Sequence, residues 1–208
     1  MTKTFTYNVD VADPRRAGVA LNERAIESLE FIRTTMARSA PFTAVPGRGG
    51  ISMGLLAVAA AVAGRFARTD AQWLTIWIGC AVIAAPIGLM AMHRKARHHD
   101  LTLWSTAGRR FAQGFVPAIV AGAVLTFALI RADATDLIPA VWLLLYGAGV
   151  LAGSSASISV LAWLGALFMA LGAVALFTPA GWRDLWLGVG FGVLQITFGA
   201  LIARNHGG

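Results

Sequence analysis

Charge is what this chain has least of: Asp, Glu, Lys and Arg make up only 13% of its 208 residues. Soluble domains carry about a quarter charged residues, so the shortage argues against a water-exposed surface over most of the chain. Between Gly49 and Arg204 no apolar run holds a charge at mid-span. Pumps, haem proteins and membrane proteases place an ionisable or metal-binding residue at bilayer depth, and that signal is missing here. Haem would need an inward His or Met at depth, whereas His93 sits at a run boundary and the other three histidines lie outside the runs. The single cysteine, Cys80, excludes an intrachain disulfide and reads as a small packing residue. The opening stretch MTKTFTYNVDVADPRR has neither an apolar core nor a small-residue cleavage site. It does not read as a signal peptide, so the first apolar run is expected to act as the insertion signal.

What the chain has in quantity is apolar side chain, 57% of the total, with 23 glycines and 7 tryptophans. Six apolar runs fall at about 49–66, 72–92, 111–130, 137–153, 158–177 and 185–203. About 18–20 helical residues cross a hydrocarbon layer of about 30 Å, so each run is a candidate span. Pro86 and Pro117 lie inside the second and third and are expected to kink them without breaking them. With six spans, one set of loops and tails carries 13 Lys and Arg and the other 4. The positive-inside rule then places both termini in the cytoplasm. The net charge of +7 follows from the same rule, and no basic stretch is interleaved with aromatics as in a nucleic-acid surface.

The three loops on the poorer side share a punctuation of Asp followed by Trp: Asp70 before Trp73, Asp133 and Asp136 before Trp142, and Asp184 before Trp186. This suggests three tandem helical hairpins. Asp favours the positive end of a helix, and Trp is expected to anchor that end at the headgroups. In lipid, small faces drive helix association. Gly188 and Gly192 form a GxxxG in the last span, readable as internal packing or as a helix-dimerisation face. Polar residues at depth are few: Gln113, Thr126, Tyr146, Gln195 and Thr197. They read either as interhelical hydrogen bonds or as a polar path for a small solute. Ser154, Ser155, Ser157 and Ser159 read as a tight turn with helix caps.

Ahead of the spans, residues 1–20 read as a flexible segment, although Phe5, Tyr7, Val9 and Val11 alternate with polar residues as in a strand. Residues 21–39 read as a cytoplasmic amphipathic helix. Leu21, Ala25, Leu29, Ile32 and Met36 lay one apolar stripe along it, and Glu23, Glu27 and Glu30 lie opposite. A membrane-surface helix would show a Lys- and Arg-rich polar face, so the stripe is read as a contact for the bundle's own loops, a second copy or a cytoplasmic protein partner. Residues 40–48 are a Pro/Gly linker ending at Arg48, where a helix start beside an Arg suits a lipid phosphate. The Gly-Lys-Ser/Thr ending of a nucleotide loop is absent.

The densest polar cluster runs from His93 to Asp100. His98, His99 and Asp100 are weak candidate metal ligands, because Arg94, Lys95 and Arg97 among them would repel a dication. Those three cations read better as contacts for lipid headgroups, and a pH-sensing role for the histidines is a further alternative. No cofactor is expected. The stretches SLEFIRTTM (28–36), PFTAVPG (41–47) and WLLLYG (142–147) resemble a family of uncharacterised small bacterial multi-span membrane proteins. The resemblance covers about residues 22–203 and implies a bacterial inner membrane, with no established activity and no catalytic residues.

The expected fold is therefore all-α: a polytopic membrane protein of six transmembrane helices in three hairpins (49–204), preceded by the amphipathic helix. The first functional reading is a non-enzymatic membrane subunit or adaptor whose N-terminal helix meets a partner or second protomer, with membrane lipids around it and no nucleic acid. The alternative is a small-solute channel or transporter with a weakly polar path between hairpins. An enzyme would have to place its chemistry around His98, His99 and Asp100.

Overall fold

The computed structural model describes residues 26–31, 45–98, 105–155 and 157–206. The chain divides into two units, Met1–Ala40 and Pro41–Gly208. In the first, residues 26–31 are helical (α1), with Ile26 and Leu29 exposed. The rest of the predicted stripe (Leu21, Ala25, Ile32 and Met36) and residues 1–20 lie outside the described residues.

The second unit is helical. α2 spans Gly47–Gly64, α3 Asp70–His98, α4 Thr106–Arg131, α5 Ile138–Ser154 and α6 Ser159–Ala175. The last span is composite: a 3-10 turn Ala180–Trp182, α7 Arg183–Leu187, a π-helical segment Gly188–Leu194, and α8 Gln195–His206. Among the described residues five helical stretches are long and apolar enough to cross a membrane: Gly47–Gly64, Asp70–Arg97, Thr106–Arg131, Thr135–Ser154 and Ala180–Asn205. Ser159–Ala175 is apolar but shorter, at 17 residues. The chain is an all-α, polytopic membrane protein.

Two helices outrun their apolar stretches. α3 has 29 residues, about 43 Å at 1.5 Å each, and continues through Arg94 and Lys95 because these are good helix formers. α4 starts five residues before its apolar run because Ser105 caps it, accepting the Gly108 N–H at 3.1 Å. Pro86 and Pro117 lie inside unbroken helices.

The most extensive packing is α5 against α6 and α4, and α2 against α8 and α3. α2 thus packs on α3 and α4 on α5, whereas the last span packs mainly on α2 and little on α6. The reason is a seam of absent side chains. A Cβ on Gly199 would lie 2.8 Å from Gly47 O, and one on Gly54 2.9 Å from Gly192 O. Gly188 faces Ala61, with 2.9 Å from its would-be Cβ to the alanine's. The GxxxG face of Gly188 and Gly192 is therefore occupied from within the chain. Gly147 and Gly165 do the same for α5 and α6, each Cβ falling 2.7 Å from the other's carbonyl oxygen. In lipid this contact is van der Waals packing of backbone on backbone, and it needs residues this small.

Trp73, Leu143 and Phe168 are fully buried between the helices. Ile78, Val82 and Leu89 on α3 and Val116, Val120 and Val124 on α4 face outward, an apolar surface of the kind lipid covers.

The seam predicts a sharp contrast between glycines. Gly165→Leu should lower unfolding free energy by about 2–3 kcal/mol through overpacking. Gly79→Ala, with nothing within 4 Å of its new Cβ, should change it by less than about 0.5 kcal/mol. Reversible unfolding in mixed detergent micelles measures both.

Candidate functional site

Three loops (65–69, 132–137 and 176–182) meet at one end of the second unit, and each is shaped locally before it contributes. Thr69 starts α3 by accepting the Gln72 N–H at 3.2 Å, and the Gln72 side chain returns to the Arg68 N–H at 2.8 Å. This reciprocal cap sets Asp70 in the first turn. α4 ends in a Schellman motif, with Ala134 N–H on Leu129 O at 2.9 Å and Asp133 N–H on Ile130 O at 3.3 Å. Asp133 takes the left-handed position usual for glycine, at φ 52°. That turn delivers Thr135 and Asp136. The 3-10 turn Ala180–Trp182 delivers Arg183 and Asp184.

These side chains tie the three loops to one another. Arg183 donates to Asp70 Oδ1 at 2.7 Å and lies 3.9 Å from Asp136 Oδ1. Thr135 donates to the other oxygen of Asp70 at 2.9 Å. The Arg183 guanidinium also sits 4.5 Å over the Trp73 ring, a cation–π contact that holds it half out of water. Beneath it, one carboxylate oxygen, Asp184 Oδ1, accepts the indole N–H groups of Trp73 at 2.8 Å and Trp77 at 2.9 Å. Gly64 makes the place for that carboxylate, since a Cβ there would collide with Asp184 Oδ1.

The tryptophans thus depart from the expected role of headgroup anchors. Trp73 is fully buried, and its N–H is spent on Asp184. Trp142 donates to Thr126 Oγ1 at 2.9 Å and Trp186 to Thr178 Oγ1 at 2.7 Å, with Thr126 in turn donating to Gly122 O and Thr178 to Ala175 O. An indole N–H buried in an apolar bundle needs an acceptor, and these inward acceptors outweigh the water-exposed alternative. A small cavity of about 50 Å³ lies between Asp136, Thr178, Arg183 and Trp186.

Deeper in the bundle a second polar pair occurs. Gln195 Nε2 donates to the Tyr146 hydroxyl at 3.0 Å. Around Tyr146 stand Phe115 from α4, Phe168 from α6 and Phe191 from the π-helical segment, with ring centroids 5.5, 4.8 and 4.9 Å away. Gln195 is the first residue of α8, where the π-helical turn reverts to α.

The other sequence candidates scatter. Gln113 and Thr197 face out of the bundle, and Thr197 Oγ1 donates back to Val193 O at 2.8 Å. Thr126 is taken by Trp142. Of the five polar residues read as a path, only Tyr146 and Gln195 meet. Arg48, Arg94 and Arg97 are exposed at the opposite, Arg-rich end. Lys95 is not: it is buried, and its ammonium donates to Val45 O at 3.0 Å, tying the residues before α2 to α3. It belongs to the packing of that end and not to a headgroup surface. Ser154 and Ser155 donate to Leu151 O and Ala152 O, finishing α5, while α6 starts at Ser159 and its N-cap residue, Ile158, supplies no side-chain cap. The His98 side chain, His99 and Asp100 lie outside the described residues. Among the described residues no three His, Cys, Asp or Glu side chains converge to hold a metal.

No family model, no curated protein and no solved structure matches the chain, so the resemblance carried by residues 28–47 and 142–147 gains no support there.

Removing Asp184 strands two indole donors, whereas removing the exposed Asp70 loosens a surface ion pair. Asp184→Ala should therefore cost about 2–3 kcal/mol and Asp70→Ala about 1 kcal/mol or less. Chemical unfolding followed by tryptophan emission distinguishes them, and equal costs would contradict the geometry.

Proposed function

We propose that this chain is a non-enzymatic membrane subunit or adaptor, with a helical bundle as its anchor and the 21–38 segment as its contact for a cytoplasmic protein or a second copy. The observation that carries the reading is the fate of the polar residues at depth. Gln113 and Thr197 face outward, Thr126 is engaged by Trp142, and Tyr146 and Gln195 engage each other. Side chains spent on separate helix contacts give a solute no continuous line of partners. The contact segment is supported by the division of the chain at Ala40 and by the exposure of Ile26 and Leu29.

In this reading the chain crosses a bacterial cytoplasmic membrane six times with both termini inside. Ser159–Ala175 is the fifth crossing, supported by its packing along α5 from Gly165 to Gly172. Its 17 residues reach about 26 Å, so the bilayer thins slightly there or the flanking residues complete the span. The distribution of Lys and Arg supports the orientation.

Deleting residues 1–40 should leave an inserted bundle with unchanged unfolding behaviour that no longer captures the partner or second copy crosslinked by the full chain. A truncated protein that captures the same species would contradict the reading. Purified protein in liposomes should pass no small neutral or ionic solute under a gradient, and reproducible flux would favour the channel alternative.

A further inference from the structure

Gln195 is nine-tenths buried, and its Oε1 is the one buried side-chain polar atom among the described residues with no hydrogen-bond partner. Its place makes this costly: it is residue 16 of the 26-residue stretch Ala180–Asn205, near the middle of the last span. An amide oxygen left bare in an apolar interior costs roughly 1–3 kcal/mol, and one at this depth has no bulk water to fall back on. Exchanging the amide's oxygen and nitrogen does not remove the cost. If Nε2 donates to Tyr146, then Oε1 lacks a donor and the Tyr146 O–H lacks an acceptor. If the Tyr146 O–H donates to Oε1 instead, the two N–H groups of Nε2 take the unpartnered position and need acceptors there.

We infer that the Tyr146–Gln195 pair is a mid-membrane binding site for one water molecule, which bridges the Gln195 amide and the Tyr146 hydroxyl. The chemistry selects this ligand. In the first arrangement the bound molecule must donate to Oε1 and accept from the tyrosine; in the second it must accept from Nε2. Water does both without changing charge. A charged ligand finds no counter-ion among the groups placed around the pair, which are the rings of Phe115, Phe168 and Phe191. The backbone provides a reason for the site to sit where it does. Gln195 comes directly after the seven-residue π-helical segment, and the extra residue in such a turn rotates the next helical turn toward a different neighbour. Here that neighbour is the tyrosine at the centre of four helices, so the water joins α5 to the last span. Such a site is independent of the adaptor reading and stands or falls without it.

The chain has three glutamines (Gln72, Gln113 and Gln195) and two tyrosines, which makes the site readable by solid-state NMR of the full chain in liposomes. Side-chain amides of Gln are labelled with ¹⁵N, and polarisation is transferred from water protons. Gln195 is assigned through its unique Leu194 neighbour by carbonyl labelling of leucine, since Ala precedes the other two. The expected result is water transfer to Gln195 within about twofold of that to Gln72, exposed in the first turn of α3, falling about fivefold or more in Tyr146→Phe as the bridge loses one of its two partners. A Gln195 amide that receives no water polarisation while Gln72 does would overturn the inference. So would transfer that is unchanged in Tyr146→Phe, or contacts at Gln195 from lipid protons in place of water. Tyr146→Phe keeps the ring and its three aromatic neighbours. Should it not fold, the wild-type measurement alone still decides between a wet and a dry amide.

Discussion

Backbone touches backbone where the first and last spans meet, and the rest of the bundle is arranged around that approach. Gly47, Gly50 and Gly54 on α2 face Gly192, Ile196, Gly199 and Ala203 on the last span, with no room for a Cβ at Gly47, Gly54 or Gly199. In lipid no hydrophobic force pulls two helices together, because the tails are as apolar as leucine. What remains is dispersion and shape, and both demand small faces. Chain ends distant in sequence are therefore joined by the one mechanism the solvent leaves available.

The seam also sets the polar contacts. At one end it finishes in Gly64, whose missing side chain admits the Asp184 carboxylate. Asp184 then gathers Trp73 and Trp77 from α3, while the adjacent Arg183 gathers Asp70 and stacks on Trp73. One dipeptide thus ties the last span to two loops at once. Halfway along, the π-helical segment brings Phe191 and then Gln195 to Tyr146, and the aromatic cluster spans α4, α5, α6 and the last span. At the Arg-rich end Lys95 closes the linker residue Val45 onto α3. Much of the outward surface of α3 and α4 is left to lipid.

Much of this architecture was legible. Hydropathy and length alone marked the chain as an all-α, polytopic membrane protein, because a membrane asks a similar length of every helix that crosses it. Helix ends beyond the apolar runs were less so: Arg94 to Arg97 and Thr106 to Arg110 are helical without being apolar, and length matched to the bilayer says nothing of that. Pairing was the larger gap. Gly188 and Gly192 announced a close contact but not its partner, since a small face fits any small face. The Asp-then-Trp punctuation of three loops marked the residues of the polar tie, yet read one loop at a time it suggested interface anchors. Only the fold turns Trp73, Trp142 and Trp186 inward onto Asp184, Thr126 and Thr178. Likewise Lys95 sits among cations in sequence but is buried because α3 rotates it toward Val45 while Arg94 and Arg97 point away. Nothing in the sequence singled out the π-helical turn.

The whole arrangement turns on the last span closing against the first within a single chain. Cysteines placed at Ala61 and Gly188, in a Cys80→Ala background, test this directly, because the two Cβ positions lie 2.9 Å apart, so a small separation of the helices reaches the roughly 3.5–4.5 Å a disulfide spans. Oxidation in native membranes should give an intramolecular bond, seen as a faster-migrating monomer with no free thiol. Disulfide-linked dimers, or two thiols that never pair, would show that the Gly188–Gly192 face meets a second copy or lipid and would contradict the account.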